Sequence, residues 1–163
     1  MSWTNVLELT GARCCSARGS ANVNIPAKGA SGDITVDSGA LMTKIPLNTW
    51  QNRNDTTLFT FSNNGIKIAE SGNYLISASI SFANGGTGDN HGIYVVDSNS
   101  VELTGAHYFN GYGATSNGCG CAPKIIPITA NTVLYLASYS PNSGTPIAQA
   151  GNEATFLTII KMS

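Results

Sequence analysis

Residues 58–82, LFTFSNNGIKIAESGNYLISASISF, hold three strand signals separated by two turn signals. Tyr74, Ile76, Ala78, Ile80 and Phe82 recur at every second position, and Ser77, Ser79 and Ser81 fill positions between them. Successive side chains of a strand point to opposite faces, so this spacing predicts one buried face and one hydroxyl-bearing face. An antiparallel sheet with one wet side follows. Asn63-Asn64-Gly65 and Gly72 are expected to supply the positive φ angles of tight reversals.

Working outward, the β pattern continues on both sides. Ile34–Val36 and Leu41–Ile45 precede the decisive stretch, with Pro46 ending the second run. His91–Asp97, Val101–Phe109, Lys124–Thr129, Thr132–Ser140 and Ala154–Met162 follow it, separated by turn-forming clusters. Many short strands at this spacing predict a sandwich or barrel, and no segment carries a helical period over three turns. Residues 1–32 break the pattern: Trp3, Val6, Leu7 and Leu9 give way to small and polar residues, and Val23-Asn24-Ile25 stops at Pro26. The expected organisation is an irregular N-terminal arm over 1–32 and one β domain over 33–163.

The spacing of Phe61, Ile66, Ile68, Gly72, Tyr74 and Phe82, with the closing strand Ala154–Met162, resembles the jelly-roll family shared by the globular head of complement's first component and tumour necrosis factor. The resemblance covers roughly Asp33 to Ser163. It implies an all-β, antiparallel jelly-roll sandwich of about eight to ten strands that assembles as a trimer, and it implies no enzyme.

The chain has 163 residues, enough for one independent core. Only 10% of them are charged, against about 25% in ordinary soluble domains, and Gly, Asn, Ser and Thr fill the deficit. A net charge of −1 without a Lys/Arg run removes the electrostatic attraction that dominates nucleic-acid binding. No apolar run approaches the roughly 20 residues of a membrane span, and Met1-Ser2-Trp3-Thr4-Asn5 does not begin as a signal peptide does.

Two strands are apolar on both faces. Val133, Tyr135, Ala137 and Tyr139 alternate with Leu134 and Leu136, and Phe156 and Ile160 alternate with Leu157 and Ile159. Both faces of such a strand must be covered. A symmetric neighbour is the expected cover, making Leu134, Leu136, Leu157 and Ile159 candidate subunit-interface residues; a loop or the arm is the alternative.

Candidate chemistry is sparse. Cys14-Cys15 and Cys119-Gly120-Cys121 fit the pair spacing of a zinc site poorly. Disulfides between the two pairs are one option, and free thiols, as in a reducing cytoplasm, are the other. His91 and His107 lie in none of the familiar catalytic motifs, so no enzyme is expected and no cofactor is called for. Asp89, Asn90 and Asp97 offer oxygen ligands that would suit calcium. Tyr108, Phe109, Asn110, Tyr112 and Asn117 combine rings with amides, the chemistry of glycan recognition, although Tyr108 and Phe109 also suit the end of a core strand. Asp89, Asn90, Tyr108, Asn110 and Tyr112 form the candidate ligand loops.

A surface built from neutral polar groups suggests an extracellular or virion protein, whereas the first residues carry no export signal. A bacteriophage structural protein, made in the host cytoplasm and released by lysis, reconciles the two. The expected role is a trimeric head fibre or capsid decoration protein on the virion surface, its arm attached to a capsid or other virion protein. A tail receptor-binding protein that reads cell-surface carbohydrate is the first alternative, and a bacterial cell- or spore-surface adhesion module the second.

Overall fold

The computed structural model describes residues 12–25, 34–35, 41–83, 90–109, 116–139, 147–149 and 155–162. All regular elements among them are strands. They are β1 (Cys14–Gly19), β2 (Val23–Asn24), β3 (Ile34–Thr35), β4 (Leu41–Ile45), β5 (Leu47–Arg53), β6 (Phe59–Ser62) and β7 (Gly65–Ile68). After these come β8 (Gly72–Ala83), β9 (Asn90–Asp97), β10 (Glu102–Phe109), β11 (Ser116–Ile128), β12 (Val133–Tyr139), β13 (Ile147–Ala148) and β14 (Phe156–Lys161).

The decisive stretch contributes to two sheets. In the first sheet β8 lies at the centre, with β11 on one side and β14, then β1, then β5 on the other; β13 and β2 extend it beside the far end of β8. The second sheet runs β10-β9-β12, beyond which β4 with β3 and β7 with β6 both join β12. All pairings are antiparallel. The two sheets face each other across one core.

Local chemistry explains the path. Ser62 pairs with Gly65 across Asn63 and Asn64, whose φ angles are 47° and 65°, so β6 and β7 form a hairpin closed by a two-residue turn with both φ angles positive. The second reversal is different. β7 belongs to the second sheet and β8 to the first, so Ala69-Glu70-Ser71 is a crossover, and neither Gly65 nor Gly72 has the positive φ expected of it. Gly65 is required by proximity instead: a Cβ there would lie 2.5 Å from the Leu134 carbonyl oxygen and 2.7 Å from Cδ1 of Tyr135. Pro46 separates β4 in the second sheet from β5 in the first, where a missing N–H suits a chain leaving one ladder for another.

The inward residues of β8 (Tyr74, Ile76, Ala78, Ile80, Phe82) meet Leu157 and Ile159 of β14, Ile93 and Val95 of β9, and Leu134 and Leu136 of β12 in one buried cluster. Each open side of the sandwich has a closure. On one side Trp50 of β5 stacks on Phe61 of β6, centroids 3.9 Å apart and rings 17° from parallel, with the Arg53 guanidinium 4.7 Å from the Trp50 ring centre. On the other, Lys124 of β11 donates from Nζ to the Leu103 carbonyl of β10 at 3.0 Å.

The division at residue 32 does not hold. β1 sits inside the first sheet between β14 and β5, and Cys15, Ala17 and Ile25 are buried in the same core as β8. The expectation failed because this strand lacks large aliphatics: Cys15 and Ala17 serve as its core residues, and the thiol behaves there as a small hydrophobe. Residues 1–11 lie outside the described residues.

Candidate interaction surface

The four residues expected at a subunit interface are core residues. Leu134, Leu136, Leu157 and Ile159 are fully buried inside one chain. The other face of β12 is also closed within the chain: Tyr135, Ala137 and Tyr139 are buried in a second cluster with Met42, Tyr94 and Val96. Tyrosine rings lie over glycines of adjacent strands here. A Cβ at Gly105 would come within 2.3 Å of the Tyr94 ring, and one at Gly92 within 2.8 Å of Tyr139. Tyr94 and Tyr139 stack at 5.5 Å with their hydroxyls 3.3 Å apart, and Lys44 places its ammonium 4.0 Å from the Tyr135 ring centre. Burial, then the Tyr139 hydroxyl, pushes the Tyr94 phenol far above its ordinary pKa. No neighbour is needed to cover this face.

β14 behaves otherwise. Its alternates Phe156, Thr158 and Ile160 are only half-buried and lie on the outer face of the first sheet. The register sets three cross-strand rows there. Ile125 of β11 pairs with Leu75 of β8, which pairs with Ile160 of β14, and Ile160 with Cys14 of β1. Ser77, Thr158 and Ser16 make the next row, with Thr158 Oγ1 donating to Ser16 Oγ at 2.9 Å and Ser16 Oγ to Gln51 Oε1 at 3.3 Å. Gly120, Ser79, Phe156 and Arg18 make the third. Ile125 is 56% exposed, the most exposed large hydrophobic residue among those described. Arg18 is the only charged side chain in these three rows, so the face combines an apolar row, a hydroxyl row and a single cation.

Of the candidate ligand residues, Asn90 and Tyr108 fall at one pole. Ser116 pairs with Ala83 and Phe109 with Asn90, so the ends of β8 and β10 and the starts of β9 and β11 gather there. Tyr108 and His91 face each other in the β9–β10 ladder, and His107 pairs with Gly92. Asp89, Asn110 and Tyr112 lie outside the described residues. Asp97 is at the opposite end of β9, where its Oδ1 accepts from the N–H of Asn99 at 2.8 Å and of Val101 at 2.9 Å. Its carboxylate caps the β9–β10 turn, away from Asn90, so a calcium set drawing on both is not assembled. Among the described residues no group of three or more His, Cys, Asp or Glu is placed to hold a metal ion.

Cys14, Cys15 and Cys121 are free and buried. Two intervening strands separate β1 from β11, about 14 Å at ordinary strand spacing, whereas a disulfide needs Cα atoms within about 7 Å. A bridge within one chain between Cys14 or Cys15 and Cys119 or Cys121, one of the two options the sequence left open, is therefore excluded by the sheet order. Burial raises the Cys14 thiol and holds Cys15 well above its ordinary value, which keeps both protonated.

Solved structures share this topology. Murine APRIL at pH 5.0 superposes with a TM-score of 0.63 at 14% identity, covering 93% of this chain and 99% of that one. Eiger TNF from S. frugiperda superposes with a TM-score of 0.60 at 14% identity, covering 93% of each chain. The chain has a tumour-necrosis-factor-like jelly-roll fold. No protein-family model and no curated protein matches the sequence.

The outer-face row of Ile125, Leu75 and Ile160 was not singled out by sequence reasoning. Its signal was present in β14 as the alternation of Phe156 and Ile160 with Leu157 and Ile159, but which set faced inward depended on the partner sheet.

Proposed function

We propose that this chain is the globular unit of a homotrimeric, non-enzymatic surface protein, joined to its copies through the outer face of the first sheet. The observation that carries this reading is the Ile125–Leu75–Ile160 row, an apolar strip across three adjacent strands, in a set of three cross-strand rows whose one charged side chain is Arg18. Burying a side chain of this size is worth about 1.5–3 kcal/mol, and three copies of the strip meeting around an axis add to a substantial gain. The family resemblance, which implies trimers, supports the same assembly.

The finer setting is a virion: a bacteriophage head fibre or capsid decoration protein exposed on the particle, attached to a capsid or other virion protein by residues ahead of β1. Support comes from the 10% charged fraction and from the Gly, Asn, Ser and Thr that take the place of charge. A second reading, recognition of a host-surface glycan, is favoured by the gathering of the β8, β9, β10 and β11 ends at one pole, where the chain enters and leaves its aromatic and glycine-rich connecting sequences. Antibody labelling of phage particles from the source culture tests the setting. Label on the capsid supports decoration, label at the tail tip supports receptor reading, and unlabelled particles contradict both virion roles and leave the cell-surface module.

A further inference from the structure

The pole opposite those strand ends, at the start of β8, carries a convergence of charges that the proposed role does not use. Arg13, just before β1, donates from Nη1 and Nη2 to the two Glu70 carboxylate oxygens at 2.8 and 2.9 Å, and from Nε to Asp55. Lys161, at the end of β14, donates to Glu70 at 2.5 Å. Asp55 lies in the connection from β5 in the first sheet to β6 in the second, and Glu70 in the return from β7 to β8. One guanidinium thus holds these two crossovers between the sheets, and two cations balance two carboxylates.

Backbone bonds tie the same pole. The Lys161 N–H donates to the Arg13 carbonyl at 2.8 Å, the Asn54 N–H to the Cys14 carbonyl at 3.1 Å, and the Cys14 N–H to Asn54 Oδ1 at 2.6 Å. The Asn54 amide also donates to the Ala12 carbonyl. Tyr74 on β8 donates its hydroxyl to the Glu70 carbonyl at 2.7 Å.

We propose that Arg13, Asp55, Glu70 and Lys161 form an acid-labile clasp, which fastens the approach to β1 against the β5–β6 and β7–β8 crossovers and releases it locally when its carboxylates are protonated. Exposed ion pairs taken singly contribute little, but a bidentate arginine sharing its carboxylate with a lysine is a network with fixed geometry. Arg13 first, then Lys161, holds Glu70 down at about 2 from an ordinary 4.5. Burial pushes Asp55 the other way, yet Arg13, the N–H of Leu58 and both donors of Thr57 outweigh it and keep that carboxyl well below the usual range. The other titratable groups facing the clasp are the Tyr74 phenol, raised by burial and then by Glu70, and the Cys14 thiol, raised by burial. Both are neutral in acid.

The sign follows from the depressed carboxylates. Their stabilisation is fully present above the unfolded value of 4.5 and is lost as pH falls toward about 2. Opening is local because Ile76 and Ile159, in the same strands that reach the clasp, are fully buried and contain no titrating group. The proposal is independent of trimer formation.

Amide hydrogen exchange of the full chain, corrected for intrinsic rates, tests it. Between pH 4.5 and about 2 the amides of Cys14, Asn54 and Lys161 are expected to lose about tenfold protection or more, while those of Ile76 and Ile159 hold theirs. In Glu70→Gln the three reporters should already exchange fast at neutral pH, with the two core amides confirming that the variant is folded. Arg13→Lys, which keeps the charge but not the fork, should fall between. Equal loss at reporter and core amides, unchanged reporters in acid, or a wild-type profile in Glu70→Gln would overturn the proposal.

Discussion

At the scale of single residues, glycine and tyrosine divide one task on the second sheet. Gly65, Gly92 and Gly105 leave room for rings from the neighbouring strand, and those rings bury the backbone that glycine leaves bare. Gly65→Ala should destabilise by about 1–3 kcal/mol, since the added carbon meets a main-chain carbonyl as well as a ring; urea unfolding measures it. Leu134→Ala should cost about 2–5 kcal/mol as a core cavity and leave the oligomeric state unchanged, which separates its observed place from the interface first expected of it. Cys14, Cys15 and Cys121 should resist a thiol reagent at neutral pH until the chain is unfolded, because buried protonated thiols are poor nucleophiles.

At the scale of elements, legibility followed side-chain size. β8 was readable because aliphatic and aromatic residues alternate with serines, and the β6–β7 hairpin because Asn63-Asn64 tolerates positive φ. β1 and the first half of β11 were not, since Cys15, Ala17 and Cys121 supply their inward contacts and carry no strong β pattern. β5 was missed for a different reason. As an edge strand it has a mostly polar run, Leu47-Asn48-Thr49-Trp50-Gln51-Asn52-Arg53, in which Leu47 enters the core and Trp50 closes the sandwich by stacking on Phe61. Trp50→Ala should therefore speed exchange of β5 amides about tenfold or more while β8 amides stay protected, and equal protection of both would remove the edge-closing role of this stack. The candidate site was legible only in part: Asn90 and Asp97 are the two ends of one extended strand, about 23 Å apart at ordinary strand rise, whereas strand order, which no local pattern encodes, decided that β1 cannot reach β11 within a chain.

At the scale of the whole molecule, a sandwich of this topology has two outer faces, and they are treated differently. The second sheet covers its own outer face with Tyr94, Tyr135 and Tyr139, whereas the first leaves Ile125, Leu75 and Ile160 in line with no charge among them. In the proposed assembly, that asymmetry puts the self-association surface on the first sheet. Ile125→Asp places a charge in the strip without touching the core, so it should dissociate the assembly while leaving the monomer's unfolding midpoint within about 0.5 kcal/mol of wild type, as is usual for surface substitutions. Thermal or urea unfolding at concentrations where both are monomeric checks the second part.

Sedimentation equilibrium of the wild-type chain beside Ile125→Asp at micromolar concentration tests the central claim most directly. The account predicts a wild-type mass three times that of the 16.9 kDa chain and a monomeric variant. A monomeric wild type, or a variant that remains trimeric, would contradict it.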